Sequence, residues 1–409
     1  MKMMQMSNTN QNLHTAKRLH NSRNYVEAEE IYRALFLEDK DSFERNDKVF
    51  FLQSINEKYL KGNYPISILE EQADFVKENF TQEDCAGRNF QDPYALIFLN
   101  IAKRHYTNRN YLKALTSIWN VKPELLSTYN PRMNRNRFNY SLKERWYFIM
   151  IDSLYGRKDY DDAIRYVNEA IVSLPNSKTE AKLWIMYKLA KIHYDMGNYE
   201  DSLKILDDIS SVKKESFVYG FIARNYYALN DYDNAMKYAV DAVLVNKAVQ
   251  NNLSNYMLLG DILDKKGYKE ESIKHYYLVY TFRKADGRKI PDDLSLIIER
   301  ENLDMENKNF RKILKELRPF WKELKFSTME RYDGRIEKVF NEKRFGFIDC
   351  DAFQEGVYFQ FKDFKDEEYF ICEGVNVSFY AIDSYDYNKN RESHKVIEIE
   401  VELGKEYDD

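Results

Sequence analysis

The chain of 409 residues has few of the residues that break regular structure, with only 13 glycines and 7 prolines. Turn-rich β architectures need both residue types at many positions, so long packed helices account better for most of the chain. No two glycines lie two or five positions apart, which excludes the glycine fingerprint of dinucleotide-binding folds and the phosphate-binding loop. Aromatic residues are abundant instead, with 33 tyrosines and 25 phenylalanines.

Cysteine is also scarce, because the chain contains only Cys85, Cys350 and Cys372. Three scattered cysteines cannot make a disulfide framework or a four-ligand zinc site, and a reducing compartment is the default expectation. Residues 1–12 lack an apolar stretch of signal-peptide length, and no uncharged apolar run approaches the roughly 18 residues of a membrane span. We therefore expect a cytoplasmic protein with a disordered segment over residues 1–12, no membrane partner, no metal and no cofactor.

Residues that could perform catalysis are not grouped in any familiar pattern. None of the six histidines follows an arginine by four to six positions, as in the usual motif of helical RNases, and none pairs with a cysteine at metal-ligand spacing. Acidic doublets such as Asp207-Asp208 are frequent in a chain with 32% charged residues, and we interpret them as solvated turns. The sequence predicts no catalytic residues and a protein that is not an enzyme.

A short pattern recurs through the first four fifths of the chain, in which an aromatic residue is followed three positions later by a small one. Successive tyrosines are about 33 to 49 residues apart, close to the roughly 34 residues of a helix-turn-helix repeat. Small side chains let two helix axes approach, the tyrosine fills the gap at the turn, and each helix pair covers the apolar face of its neighbour. The copies begin at Tyr25, Tyr64, Tyr111, Tyr160, Tyr199 and Tyr232, with a copy shifted by one at Tyr268 and a weaker one at Phe310.

This pattern resembles the tetratricopeptide repeat family, and the best match runs from Tyr160 to Pro175, with Ala163 and Ala170 at the family's spacing. The resemblance implies an α-solenoid over residues 13–326 with about seven to eight helix pairs. It also implies a concave groove that holds a protein partner whose identity the sequence does not specify. The repeated tyrosines, alanines and serines are interpreted as packing residues, so they predict the fold and not the ligand.

Between two of the repeats lies a basic segment that begins at Pro131. We expect a loop there, because proline and asparagine dominate and no helical period survives. Asparagines alternate with arginines beside aromatic residues, a combination that suits phosphate contact together with base stacking. A solvated basic insertion is the alternative interpretation. The candidate residues for a secondary nucleic-acid contact are Arg132, Arg135, Arg137, Phe138, Lys143 and Arg145.

The last eighty residues change from helical spacing to alternation, and five short runs predict a small closed antiparallel β-barrel. Period-2 spacing puts Phe345 and Phe347 on one face of their strand, with Ile348 on the other. The same spacing separates Tyr358 from its aliphatic and aromatic neighbours on the next strand. Aromatic rings on the face away from the core are flat platforms on which unpaired bases can stack.

Here the chain resembles a cold-shock domain, an oligonucleotide-binding barrel, over residues 330–402, followed by an acidic tail at 403–409. The two stretches that carry the resemblance are residues 334–348 and 357–361, which match the family's two nucleic-acid-binding motifs in order. The resemblance implies binding of single-stranded nucleic acid, with RNA favoured over DNA. The residues it assigns are Phe345, Phe347, Tyr358 and Phe361 for stacking, Lys338 and Lys343 for phosphate contact, and Phe340, Asn341 and Gln360 along the path of the strand.

Three positions depart from the cold-shock pattern: Val339 stands where the family usually has tryptophan, Arg344 where it has glycine, and Gln360 where it has histidine. Losing the tryptophan removes one platform, which Arg344 could partly replace by cation–π stacking or phosphate contact. We therefore expect weaker binding than is typical of the family.

Charge is distributed against nucleic-acid binding by the barrel. From Glu330 to Asp409 there are 11 basic and 21 acidic residues, a net charge of −10, while the other 329 residues carry a net of +5. Neutralisation of phosphates supplies much of the affinity of nucleic-acid-binding proteins, so an acidic barrel would depend on stacking. Two hypotheses follow: an adaptor that joins single-stranded nucleic acid to a protein partner, or a pure protein-interaction scaffold or regulatory subunit whose acidic barrel no longer binds nucleic acid.

Overall fold

The structure is a computed structural model that describes residues 2–85, 92–134, 137–246, 248–304, 308–327, 329–386 and 391–402. The chain forms two compact units, Met1–Val212 and Lys213–Asp409. Helices alone build most of the first unit. The second unit contains further helices and, at its end, a β-barrel, so the predicted order of an α-solenoid followed by a barrel is confirmed.

Ten helices pack as successive antiparallel pairs in the first unit, and each pair covers an apolar face of the next. They are α1 (Lys2–Asn21), α2 (Tyr25–Glu38), α3 (Arg45–Lys61), α4 (Ile66–Asn79), α5 (Pro93–Thr107), α6 (Tyr111–Ile118), α7 (Leu142–Arg157), α8 (Tyr160–Ser173), α9 (Ala181–Asp195) and α10 (Tyr199–Val212). Local signals start several of them. Asp92 accepts a hydrogen bond from the Ala95 amide with Pro93 in the first helical turn of α5, and Ser141 and Glu144 form a capping box at the start of α7.

The repeated tyrosine lies at the turn between the two helices of a pair and contacts an aromatic ring five residues before it. The small residue three positions later is fully buried in most copies, as at Ala28, Ala114, Ala163 and Ala235. This arrangement fills the space at the turn as the repeat pattern predicts. The ring pairs and their centroid distances are His20–Tyr25 (5.2 Å), Tyr59–Tyr64 (5.1 Å), Tyr106–Tyr111 (6.1 Å), Tyr155–Tyr160 (6.2 Å), Tyr194–Tyr199 (5.2 Å) and Tyr227–Tyr232 (5.6 Å).

Three local expectations are corrected in the first unit. Helix α1 begins at Lys2, within the segment 1–12 expected to be disordered, because this segment has no proline or glycine and contains good helix formers. The second repeat is displaced by Pro65, which caps α4, so Leu69 is buried where Ser67 was expected. The basic segment, predicted to be a loop, contains a short antiparallel ribbon of β1 (Arg132–Asn134) and β2 (Arg137–Phe138).

Six further helices belong to the second unit: α11 (Ser216–Ala228), α12 (Tyr232–Val245), α13 (Leu253–Lys265), α14 (Lys269–Ala285), α15 (Asp292–Arg300) and α16 (Phe310–Ser327). The buried Trp321 of α16 stacks on Tyr256 with ring centroids 5.4 Å apart. Its indole N–H donates to Nε2 of the buried His275, 2.8 Å away, and His275 Nδ1 lies 2.7 Å from the carbonyl oxygen of Glu271. Helix α16 is thereby held against α13 and α14.

Five strands close the barrel in the order β3-β4-β5-β7-β6: β3 (Arg331–Phe340), β4 (Phe345–Asp349), β5 (Val357–Gln360), β6 (Asn376–Asp386) and β7 (Arg391–Val401). The predicted closed five-stranded barrel is confirmed, and its sheet is mixed and not antiparallel throughout, because β5 and β7 pair in parallel. A closed ring with an odd number of strands cannot alternate direction at every step, so one parallel pair is unavoidable. The barrel contacts α16 through Tyr380, whose ring stacks on Phe326 with centroids 4.9 Å apart.

Candidate nucleic-acid interface

Four aromatic side chains gather on the outer surface of strands β3, β4 and β5, and we call Phe340, Phe345, Phe347 and Tyr358 the aromatic patch. The Phe340 and Phe345 rings stack with centroids 4.7 Å apart and an interplanar angle of 23°. Phe347 meets Phe345 edge-on at 6.0 Å, and Tyr358 lies 5.5 Å from Phe345. Phe340 is 39% exposed and the other three rings are partly buried, so ring surface remains open to a ligand.

The strand period and one glycine explain why these rings face outward. Along β4, Phe345 and Phe347 are partly exposed, whereas Gly346 and Ile348 point into the barrel. A Cβ at Gly346 would lie 2.3 Å from the Lys338 carbonyl oxygen and 2.5 Å from the Phe359 ring, so this position has room only for glycine. The sequence Phe345-Gly346-Phe347 therefore places two rings on the surface, while the glycine between them lets β3 and the Phe359 ring approach its backbone closely.

Phe361 does not belong to the patch, and its assignment as a stacking residue is corrected. Its side chain is buried in the barrel core and contacts Phe359, with ring centroids 6.4 Å apart. Phe361 follows the end of β5 and begins a 3₁₀ turn, so the alternation of the strand no longer decides where its side chain points. Sequence alternation alone could not locate that end.

Arg344 covers the outer side of Phe361 and closes one edge of the patch. Its guanidinium carbon lies 5.3 Å from the Phe361 ring centroid, and its guanidinium is ion-paired with Glu368. The backbone of Arg344 has φ 55°, the left-handed conformation that glycine adopts at least cost. This conformation gives a physical reason for the glycine of the cold-shock pattern at this position.

The other polar residues that the sequence assigned lie around the same strands. Lys338, Asn341 and Lys343 are exposed, and the Gln360 side-chain amide donates to the Tyr358 hydroxyl at 3.0 Å. Among the described residues, Lys338 and Lys343 form no ion pair, whereas four other barrel cations do. Those paired cations are Arg331 with Glu400, Arg344 with Glu368, Lys365 with Glu398 and Glu400, and Lys395 with Asp363.

One aromatic pair near the patch was missed in the sequence. Tyr369 is 66% exposed, its ring centroid lies 4.0 Å from that of Phe370, and it follows the Glu368 that pairs with Arg344. The sequence feature that could have indicated this pair is a tyrosine next to a phenylalanine in an acidic segment. It lies outside the two motifs that carried the cold-shock resemblance. Its exposed ring extends the aromatic surface beyond Arg344.

The described residues of the basic segment do not share one exposed surface. Arg132 is exposed, Phe138 lies 4.9 Å under the Lys178 ammonium, and Lys143 is partly buried at the start of α7. The partly buried Arg145 instead lines a cavity between α5 and α7. Arg135 lies outside the described residues, and only the backbone of Arg137 is described, in β2.

Within the part of the chain that the structure describes, no group of three or more histidine, cysteine, aspartate or glutamate residues is arranged to hold a metal ion. No described helix has both the length and the apolar character needed to cross a membrane.

One protein-family model matches part of the helical region. Residues 253–286, which cover all of α13 and α14, match the family model described as tetratricopeptide repeat. No curated protein sequence matches the chain significantly. The similar solved structures include the apo form of RapI, at 12% identity over 76% of this chain and 86% of that one, with a TM-score of 0.45. A Rap protein complexed with competence and sporulation factor is 14% identical over 78% and 88% of the two chains, with a TM-score of 0.39.

Proposed function

We propose that the protein is a non-enzymatic adaptor that binds single-stranded nucleic acid on its barrel and a protein partner on its solenoid. The observation that carries the nucleic-acid half of the proposal is the aromatic patch, four mutually contacting rings on the outer surface of three adjacent strands. A sheet face exposed only to water would carry polar side chains at these positions. The tetratricopeptide match in α13 and α14 supports the protein-binding half.

Stacking dominates the proposed recognition. Each base on an aromatic platform contributes about 1 to 3 kcal/mol, and every base offers a suitable face, so the patch binds with little base preference. Lys338 and Lys343 are the exposed cations beside the patch and contact the phosphates. Two phosphate contacts produce a shallow dependence of affinity on salt, with a slope of about −1.4 for a single strand. The surrounding acidic surface lowers affinity further, and RNA is favoured over DNA.

The direct test is fluorescence anisotropy with labelled single-stranded RNA and DNA, titrated with the full chain at two salt concentrations. The Phe345→Ala/Phe347→Ala double variant removes two platforms, so we expect at least about 30-fold weaker binding and an unchanged salt slope. Lys338→Gln/Lys343→Gln is expected to weaken binding less and to flatten the slope by about 1.4.

Phe353→Ala is the matched control, because Phe353 is another partly buried barrel ring but packs against Tyr332 and His394 outside the patch. It should leave affinity within about twofold of the wild type. Equal loss in the control and the double variant would indicate a general effect of barrel stability and contradict the site assignment. Binding that disappears steeply with salt and ignores both phenylalanines would move the contact to Arg132 and its basic neighbours.

The second candidate function is a scaffold whose barrel contacts a basic protein. It is favoured by the net charge of −10 in the last eighty residues and by Val339 and Gln360, which replace the family's tryptophan and histidine. Absence of binding to every oligonucleotide at low salt, together with purified protein free of nucleic acid by absorbance ratio, would put this candidate first.

A further inference from the structure

A cavity of about 580 Å³ lies in the first unit between α5, α7 and the segment that precedes α7. Its volume is within the range of small-molecule sites. Apolar and aromatic side chains form most of its wall, including Tyr106, Tyr140, Leu142 and Phe148. The cavity is remote in sequence from the barrel, and the adaptor function proposed above assigns it no role.

Arg145 lines this cavity, and its side chain is partly buried. Among the residues that the structure describes, none accepts a hydrogen bond from its guanidinium or forms an ion pair with it. Burial lowers the pKa of the guanidinium, and no neighbouring carboxylate offsets that effect. A partly buried cation that has no counter-ion among the described residues lowers the stability of a folded protein, so its presence on a cavity wall needs an explanation.

The acidic residue of the same cavity is already engaged. Asp152 lies 2.6 Å from the Lys188 ammonium and also interacts with the Tyr106 hydroxyl, whose pKa is raised to about 12 by burial and by this carboxylate. Lys103, also on the wall, is exposed. The cavity therefore carries an excess of positive charge, and its uncompensated member is Arg145.

The wall opposite the helices is fixed by the residue before Arg145. The buried Glu144 carboxylate accepts hydrogen bonds from Asn130 at 2.5 Å, from the Ser141 amide at 2.7 Å, and from Ser177 and Thr179 at 2.7 and 2.8 Å. These bonds tie the segment before α7 and the turn after α8 to one carboxylate. Because Glu144 and Arg145 are adjacent on a helix, one side chain secures the wall while the next is directed into the cavity.

We propose that this cavity binds a small organic anion, a carboxylate or phosphate carried on an aromatic or apolar body, with Arg145 as its counter-ion. The guanidinium fork matches the two oxygens of a carboxylate or phosphate and holds them in a bidentate contact. The aromatic and aliphatic wall takes the body of the ligand, and the tyrosine hydroxyls at its edge bind polar substituents. Recognition requires both halves of the ligand.

The experiment uses the full chain and isothermal titration calorimetry with six probes. Two are the aromatic anions benzoate and phenyl phosphate, and two are their uncharged counterparts, benzamide and phenol. The last two, acetate and inorganic phosphate, carry the anionic group without the aromatic ring. We expect at least one aromatic anion to bind. Its uncharged counterpart, and the matching anion without the aromatic ring, should each bind at least about 30-fold more weakly. The stronger of benzoate and phenyl phosphate identifies the anionic group.

Three variants test the role of Arg145. Arg145→Met removes the charge and should weaken binding of the probe at least about 30-fold. It should also raise the unfolding temperature of the ligand-free protein, because a partly buried charge without a described counter-ion is gone. Arg145→Lys keeps the positive charge but cannot make the bidentate contact of a guanidinium, so it should weaken binding of the probe about tenfold. Lys143→Met removes a charge from the same helix outside the cavity and should change neither quantity.

Equal effects of Lys143→Met and Arg145→Met, or equal binding of charged and uncharged probes, would overturn the proposal. So would the absence of binding by both benzoate and phenyl phosphate. The Phe345→Ala/Phe347→Ala variant should bind the probes as the wild type does, which separates this site from nucleic-acid binding by the barrel.

Discussion

The turns of the solenoid and the surface of the barrel use aromatic residues in opposite ways. At the turns, each repeated tyrosine contacts a ring five residues earlier, and the small residue after it lets the two helices approach. On the barrel, the rings of the aromatic patch contact one another but retain exposed surface. The difference teaches that abundance of aromatics does not indicate function, whereas their position relative to the core does.

The two regions also differ in the partners of their rings. Tyr155 illustrates the solenoid, because its hydroxyl donates to Asp195 at 2.6 Å while its ring contacts Tyr160. Such a side chain has both its polar and its apolar surface satisfied within the fold. Phe340 illustrates the barrel, since it has no polar group and 39% of its surface is exposed. If this contrast is correct, solenoid aromatics should affect stability and patch aromatics should affect binding.

The largest effect on stability is expected for Trp321→Ala. The indole is buried, stacks on Tyr256 and donates to His275, so its removal leaves a cavity and an unpaired acceptor. We expect a loss of about 3 to 5 kcal/mol in the free energy of unfolding of the second unit. Hydrogen exchange measured by mass spectrometry should show faster exchange in α13, α14 and α16.

Trp321→Phe is the matched variant, because it keeps a ring against Tyr256 and loses only the hydrogen bond and part of the volume. Trp321→Phe should lower the free energy of unfolding by less than half as much as Trp321→Ala does. Unchanged protection of the three helices in the alanine variant would show that α16 is not held by this residue.

The next effect concerns pH and His275. Burial lowers the pKa of this imidazole from 6.5 to about 4, and its two nitrogens are occupied by Glu271 and Trp321 in the neutral form. As pH falls, His275 binds a proton in the unfolded chain at a higher pH than in the folded chain. The free energy of unfolding is therefore at its full value above pH 6.5 and decreases progressively toward pH 4. We expect a decrease of about 3 kcal/mol across that window.

The measurement is urea unfolding of protein labelled with 5-fluorotryptophan, followed by ¹⁹F NMR, in which the Trp321 resonance reports on the second unit. His275→Gln retains an acceptor for the indole N–H but cannot be protonated. The free energy of unfolding of this variant should therefore decrease by about 3 kcal/mol less than that of the wild type between pH 6.5 and pH 4. Identical pH profiles for the two proteins would assign the acid sensitivity to other groups.

How much of this fold could be predicted depends on how local the signal is. The solenoid repeats a short pattern of aromatic and small residues, and Tyr160 with Ala163 and Ala170 already defines the second helix of one pair. The barrel was predictable where strands alternate, as at Phe345 to Ile348. Local pattern failed where an element ends or a distant segment intervenes: Phe361 turns inward after β5, Pro65 displaces the second repeat, and the parallel β5–β7 pair follows only from closure.

The site followed the same rule. The patch rings lie on neighbouring strands with a regular period, so sequence spacing could bring Phe345, Phe347 and Tyr358 together. The cavity beside Arg145 depends on α5 and α7, which are separated by residues 108–141, and on hydrogen bonds to Glu144 from two separate turns. No local spacing encodes that arrangement, and the sequence grouped Arg145 with exposed arginines instead.

A single change in the patch sharpens the comparison. Phe345→Ala removes the central ring, which contacts Phe340, Phe347 and Tyr358. We expect a loss of about 1 to 3 kcal/mol in binding to single-stranded RNA, as measured by anisotropy, with a change of less than about 1 kcal/mol in barrel stability. A larger loss of stability than of affinity would make this ring a packing residue like the solenoid tyrosines.

The reciprocal change is Tyr160→Ala in the turn between α7 and α8. Removing a partly buried ring that contacts Tyr155 should lower the stability of the first unit by about 1 to 2 kcal/mol. Binding of RNA should be unchanged. Hydrogen exchange of α7 and α8 checks the first expectation and anisotropy the second, and weakened RNA binding would show that solenoid aromatics take part in recognition.

The smallest effect tests the departure from the cold-shock pattern at Arg344. Glycine would relieve the left-handed backbone, but the variant loses an exposed ion pair with Glu368 and a contact with the Phe361 ring. These effects nearly cancel, so Arg344→Gly should change barrel stability by less than about 0.5 kcal/mol. Arg344→Ala loses the same contacts and keeps the unfavourable φ.

We therefore expect Arg344→Ala to be less stable than Arg344→Gly by about 1 kcal/mol, measured by hydrogen exchange of β3, β4 and β5. Equal stability of the two variants would show that the backbone at this position is not strained. Because both variants lack the guanidinium, they should lose the same RNA affinity if Arg344 contacts the ligand. A difference in affinity between them would mean that the turn conformation, and not the arginine side chain, controls the shape of the patch.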